Sequence, residues 1–346
     1  MIIREAKELA RQWVAEEGRR TPGFHGAFFT GSTNWLPDEA VLPPSSDVDV
    51  TVVRNDADGT DKPGKFSYRG LILEVTHLPA EQVQSAQDVL GHFHLAGNFR
   101  TPNIILDPTG ELTALQAAVS RDFATRAWVR ARTEHARSLV SERLRDLDES
   151  QPFRGQGLSC LMSAGVSTYV LLVAGLRNPT VRKRYLATRE LLAEFGHLDL
   201  YPALLATVGC ADLSAARVAH HLDQLAQVFD AASEVRDSPF YWASDLSAAA
   251  RPIIIDGSGE MIDRGDHREA LFWMAVTYGK CLMVLDHGGS AAALERFEQG
   301  NTELLADLGL RSYADCQRRI AEIEGLLPHI EKVAEQIIAA HTEIKD

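Results

Sequence analysis

Cysteine is scarce: the 346 residues hold four, Cys160, Cys210, Cys281 and Cys316, with no C-x-x-C pair among them. That excludes a zinc knuckle and a disulfide framework and leaves buried free thiols in a reducing compartment as the expectation. Positive charge is also in deficit. Lys plus Arg number 35 against 48 Asp plus Glu, a net charge of −13, and such a field repels a polyphosphate backbone. A nucleic-acid partner is therefore disfavoured, while a cationic small molecule would be attracted. No run of about eighteen uninterrupted apolar residues occurs, and the N-terminal stretch from Met1 to Lys7 is charged and amphipathic rather than leader-like. No membrane segment and a cytoplasmic location are expected. Internal repeats and low-complexity tracts are absent as well.

What is present reads as a globular chain, 45% apolar and 24% charged. Single cores stop growing at about 250 to 300 residues, so the length suits two domains. Ile2, Ile3, Ala6, Leu9, Ala10, Trp13 and Val14 recur at helical spacing and predict a first helix ending near Gly18. Short β-branched or aromatic runs at 27–30, 48–53, 71–76 and 103–106 predict a small mixed sheet. Between them, the acidic, turn-rich 55–64 segment reads as a solvated hairpin, because it lacks the downstream Glu of a calcium loop. Helical periodicity then takes over at 112–147, 158–176, 181–195, 214–235, 267–285 and 313–341. Asp107-Pro-Thr-Gly110 fits a turn closing the sheet region. The expectation is an α+β chain: a sheet domain over 1–120, followed by an all-α bundle over 121–346 that binds an acceptor. Residues 253–259, Ile-Ile-Ile-Asp-Gly-Ser-Gly, are compatible with a minor hairpin or an active-site loop.

Three features lie close together in the sheet region: Gly31-Ser32 after one strand, Asp47-Val-Asp49 at the head of the next, and Glu74 within a third. Side chains alternate along a strand, so Asp47 and Asp49 share one face while Val48 and Val50 enter the core. If the 71–76 strand lies alongside, Glu74 joins them. Three carboxylates so close repel one another unless divalent cations neutralise them. Hard oxygen ligands suit Mg2+, two ions here, which bridges carboxylates to nucleotide phosphates. The implied ligand is ATP or another nucleoside triphosphate. Gly31 allows close backbone approach, and the following amide and hydroxyl can donate to terminal phosphate oxygens. Asp47, Asp49 and Glu74 are the expected metal and catalytic ligands, with Glu74 alternatively a general base.

The segments Phe29-Thr-Gly-Ser32, Ser46-Asp-Val-Asp-Val50 and Leu73-Glu-Val75 resemble the signature of the polymerase-β-like nucleotidyltransferase superfamily. Residues 104–112 are similar to the strand and turn that follow in antibiotic nucleotidyltransferases, for aminoglycosides or lincosamides. The resemblance is specific over about the first 112 residues. It implies a sheet domain followed by a helical domain that contacts the acceptor. It also implies transfer of a nucleoside monophosphate, AMP from ATP foremost, to a hydroxyl of a small acceptor, with pyrophosphate released. Residues 33–46 depart from the usual shorter gap and hold Pro37, Pro43 and Pro44, so any helix there is short.

Farther along, Arg182, Lys183 and Arg184 gather three cations just inside a predicted helix start, where the dipole disfavours them and an anionic partner is invited. Arg182, Lys183 and Lys280 are thus candidate triphosphate contacts, Lys280 because it interrupts an apolar helix pattern. His92, His94, His220 and His221 lack an acid at ligand spacing and receive no role. Tyr241, Trp242 and Asp245 are compatible with an aromatic and acidic pocket for a cationic acceptor. Transfer to RNA or protein, and a non-catalytic nucleotide-binding module, are the alternatives; a homodimer is allowed.

Overall fold

The computed structural model describes residues 1–56, 62–235 and 238–346. The chain is α+β: a five-stranded mixed sheet comes from its N-terminal third, and helices make up nearly all the rest. The strands are β1 (Phe24–Thr30), β2 (Val48–Arg54), β3 (Gly64–Tyr68), β4 (Leu71–Pro79) and β5 (Ile104–Leu106), in the order β3-β4-β2-β1-β5. Only β2 and β4 run parallel. Alternation decides which residues go where. Ala27, Phe29, Val48, Val50, Val52, Leu71, Leu73 and Val75 point to one face and pack under helix α1 (Ile3–Glu16) through Ala6, Ala10 and Val14. Burying each larger apolar side chain stabilises the layer by about 1.5 to 3 kcal/mol.

The opposite face is divided. Phe28 and Val53 pack against α2 (Ala86–Gly91) and α3 (Glu111–Asp122), while Thr30, Asp49, Thr51, Lys65 and Glu74 leave its remainder polar. The 107–110 turn behaves as expected: Asp107 accepts hydrogen bonds from the Gly110 amide at 3.0 Å and the Thr113 amide at 2.8 Å, satisfying amides at the start of α3. Side chains of α3 belong to the sheet's core. Those of the next helix, α4 (Arg126–Arg143), belong to the helical core.

That second core is built on α5 (Phe153–Ala174), which α4 and α12 (Tyr313–Ala340) contact most extensively. Among the described residues α5 is the one helix long and apolar enough to cross a membrane, and 83% of its apolar window is buried by the rest of the chain. An all-round apolar helix needs neighbours on every side. Besides α4 and α12 they come from α6 (Arg184–Glu194), α7 (Tyr201–Val208), α10 (His267–Gly288) and α11 (Ala291–Asp307), while α8 (Ala215–Ser233) and α9 (Gly257–Asp263) pack against α10. All four cysteines are free and buried.

Three expectations need correction. The 55–64 segment is not simply a solvated hairpin: 57–61 lie outside the described residues, Gly64 opens strand β3, and the Lys62 side chain is largely buried. Residues 253–259 form no hairpin. Pro252–Asp256 is a π-helical turn that runs directly into α9, with Ile253, Ile254 and Ile255 buried. Finally, α6 begins at Arg184, so Arg182 and Lys183 precede the helix and do not oppose its dipole from within.

Candidate functional site

Pairing register, rather than proximity in sequence, assembles the polar face. Asp49 on β2 lies opposite Glu74 on β4 and Thr30 on β1, and Glu74 lies opposite Lys65 on β3. The result is one row across four strands, Lys65, Glu74, Asp49, Thr30, with Asp47 just ahead of β2 completing a triad. One oxygen from each of Asp47, Asp49 and Glu74 lies within 4.8 Å of the others. The chain turns sharply after Thr30. Gly31 adopts φ 66 and ψ −163, a region open essentially to glycine. A Cβ there would overlap the Asp49 carboxylate and stand 2.9 Å from the Asp49 Cβ. The turn therefore lies directly on Asp49, and Ser32 begins a single 3-10 turn, Ser32–Asn34, the only helical structure among residues 33–46. Among the described residues the Ser32 hydroxyl has no protein partner, so it is free to donate outward.

The sequence argument held that only divalent ions could make this convergence tolerable, and the structure corrects it. Lys65 ion-pairs with Glu74 and lies 3.0 Å from Asp47; Lys62 lies 2.6 Å from both Glu74 and Asp245. Removal from water pushes the Glu74 carboxyl up, but Lys65 and then Lys62 outweigh it and hold the acid well below its usual range. Burial likewise opposes charge on both lysines, and the surrounding carboxylates reverse the sign and raise them. Asp49 fares differently. Burial, then Asp47 and Glu74, raise it well above the ordinary aspartate range. Two ammonium groups against the carboxylates of Asp47, Asp49, Glu74 and Asp245 thus leave a surplus of negative charge in the cluster, which favours the protonated form of Asp49. Three hard oxygen donors with that surplus, two of them on side chains still 14% and 16% exposed, fit a divalent cation.

No family model and no curated protein matches this chain.

The helical part reaches the site at two places. At one, Ser244 packs so tightly on Gly64, at φ 77, that a Cβ there would strike it. The neighbouring Ser247 hydroxyl donates to the Lys65 carbonyl at 3.3 Å. The short Tyr241–Asp245 turn thereby carries Asp245 to Lys62. Trp242, stacked on Phe240, and Trp273 hold Lys280 over their rings at 4.9 and 5.4 Å. Lys280 is near enough to feel Asp245, Lys62 and Glu74, and burial lowers it from the usual lysine range. Its ring partners are the two indoles. Tyr241 is exposed, and Asp245 already holds an ammonium group, that of Lys62.

At the other place, Arg182 donates to the Ile253 carbonyl and, at 3.1 Å, to that of Ser45, while the Ser45 hydroxyl donates to Glu260 at 2.8 Å. A Cβ on Gly257 would collide with the guanidinium. Arg182 therefore straps the loop before Asp47 to the π-helical turn, and both of its described hydrogen bonds go to backbone carbonyls. Lys183 is half-buried and has no partner among the described residues; burial, then Arg182, lowers it. Arg184 is buried between the rings of Tyr169 and Phe272 and donates to the Tyr169 hydroxyl at 2.7 Å. It belongs to the helical core. His221 is buried against Asp307 at 2.8 Å, also remote from the carboxylates. Sequence reasoning passed over Lys62, Lys65, Ser45 and Glu260.

Proposed function

We propose that this chain is a nucleotidyltransferase of the polymerase-β-like kind. It would move a nucleoside monophosphate, AMP from ATP foremost, to a hydroxyl of a small acceptor and release pyrophosphate. The observation that carries the reading is the convergence of Asp47, Asp49 and Glu74 beneath a glycine turn that only Gly31 can make. Asp47 and Asp49 would hold divalent ions, and Glu74 would share them or accept the acceptor's proton. Ser32 and the amides of its turn would bind the terminal phosphates. Bound there, magnesium would acidify the acceptor hydroxyl and offset the charge of the departing pyrophosphate. The net charge of −13 favours a cationic acceptor such as an aminoglycoside-like antibiotic. Four buried free thiols suit a reducing, cytoplasmic setting.

A second reading has a specific observation behind it. Lys62 and Lys65 join Asp47, Glu74 and Asp245 into a largely buried ion cluster that ties β3 to the helical part, and such a cluster can be structural alone. One experiment separates the two. The protein is incubated with each labelled nucleoside triphosphate, magnesium and a panel of hydroxylated metabolites and antibiotics. A mass gain of one nucleotide on an acceptor, with pyrophosphate release lost in Asp47→Ala and Asp49→Ala, is the expected result. Turnover unchanged in those variants refutes the site.

A further inference from the structure

Lys65 Nζ stands between Asp47 and Glu74, and Lys62 Nζ between Glu74 and Asp245. The first position contacts two members of the triad, whose ligand oxygens all lie within 4.8 Å of one another. A divalent ion, which needs oxygens at about 2.0 to 2.6 Å, competes with the ammonium groups for these carboxylates, because like charges repel and a lysine carries no ligand to offer it. Metal entry at the oxygens Lys65 now holds therefore loosens its grip on Asp47 and Glu74. A displaced ammonium on the edge strand β3, its pairs weakened by a stronger cation, seeks the nearest unpaired anion. In a nucleotidyl-transfer centre that anion is the triphosphate.

We propose that Lys62 and Lys65 are exchangeable counter-ions: they neutralise Asp47 and Glu74 in the metal-free protein, yield them to divalent cations, and transfer to the phosphates of the incoming nucleotide. This rests on the carboxylates being a metal centre, as argued above. The exchange makes nucleotide and metal bind cooperatively, because each removes a cost the other would otherwise meet. It also gives opposite signs for two affinities on removing one lysine. Without Lys65 the cations no longer compete with it, so metal binding alone tightens. The triphosphate, having lost an ammonium partner, binds more weakly. A merely structural lysine would weaken both.

The test uses the full chain and free Mn2+ counted by electron paramagnetic resonance, first without nucleotide and then with a non-hydrolysable α,β-methylene analogue of ATP at saturating Mn2+. When a site is open in fewer than about one molecule in ten, freeing it raises apparent affinity about tenfold. Lys65→Met is expected to bind Mn2+ about tenfold more tightly than wild type and the analogue several-fold more weakly. Lys62→Met, which empties only the outer position, should move both in the same directions by less, and it decides the matter if Lys65→Met does not fold. Equal Mn2+ affinity in wild type and lysine variants, with binding lost in Asp49→Asn, overturns the exchange and leaves the metal centre standing. Absence of Mn2+ binding in every protein overturns both.

Discussion

Replacing Gly31 with alanine tests the packing of the turn against Asp49. Alanine must hold φ 66 and ψ −163, which costs about 1 to 3 kcal/mol for a residue with a Cβ. The new methyl would stand 2.9 Å from the Asp49 Cβ and overlap its carboxylate. Carbon atoms rest at about 3.5 to 4.0 Å, so Asp49 has to retreat by roughly an ångström, and overpacking of this kind costs about 1 to 3 kcal/mol more. The expected destabilisation is about 2 to 6 kcal/mol. A misplacement of about 1 Å at a catalytic centre can lower turnover about a hundredfold, and Mn2+ affinity should fall with it. Calorimetric melting and Mn2+ titration measure the two effects. Gly91→Ala is the control: Gly91 ends α2 without a positive φ, and a Cβ there meets nothing within 4 Å, so Mn2+ affinity should hold and stability should stay or rise by up to about 1 kcal/mol. Asp49→Ala added to Gly31→Ala removes the overlapping carboxylate and should recover part of the lost stability, a non-additive result. If Gly31→Ala melts like wild type and binds Mn2+ equally well, the turn does not press on Asp49 and the geometry of the site is wrong.

Two other outcomes follow from charge. In chelator, Asp49→Asn should raise the melting temperature at neutral pH, by about 0.5 to 2 kcal/mol of added stability, because it removes a carboxylate that burial, Asp47 and Glu74 all disfavour. A carboxyl raised in the folded state loses stability as pH climbs above its unfolded value, so the gap between variant and wild type should open with rising pH and close in acid; a gap that widens in acid would refute the assignment. His92 has the opposite sign of dependence. Its Nδ1 accepts from the amides of His94 and Leu95, both at 3.2 Å, and burial, then His135 and His94, push it down to about 4. The unfolded chain takes up this proton first as pH falls from about 6.5, so stability should drop between there and about pH 4, by up to roughly 3 kcal/mol. His92→Asn keeps an acceptor without titrating, and its melting temperature should lack that ramp. An identical ramp in both proteins would show that His92 is not the group responsible.

Most of the carboxylate geometry was legible in the chain, because strand alternation alone sets Asp49 opposite in sense to Val48 and Val50, and the short β-branched runs mark β2 and β4. Lys65 was missed for a physical reason. A five-residue strand with Lys and Ser at alternate positions looks solvated, as an edge strand should. Yet the chain held a usable signal, Gly70 between two β-prone runs, and the structure bears it out: Arg69 and Gly70 both adopt left-handed φ, 50 and 82, as a two-residue hairpin turn requires. Counting back from it pairs Tyr68 with Leu71 and hence Lys65 with Glu74. Arg182 was placed near an anion because basic residues at a helix start oppose the dipole. The helix begins two residues later, so that argument had no object, and the contact with Ser45, 137 positions away, is tertiary. No local pattern announces it.

Whether the lysines make this a structural ion cluster or the resting state of a metal centre turns on Asp49. Asp47, Glu74 and Asp245 each touch an ammonium group, but among the described residues no cation touches Asp49. A cluster selected for stability has no use for it: a carboxylate set deep beside two others and left uncompensated is a cost, and a neutral or apolar residue of similar size would serve better. The backbone adds a second cost at the same spot, since Gly31 is held in a conformation few residues can adopt, pressed against that carboxylate. Strain and a disfavoured carboxylate converging on one side chain are what a functional centre accepts and a purely structural one sheds. The lysines pair with Asp47 and Glu74; under the metal-centre reading proposed above, a bound cation would account for Asp49.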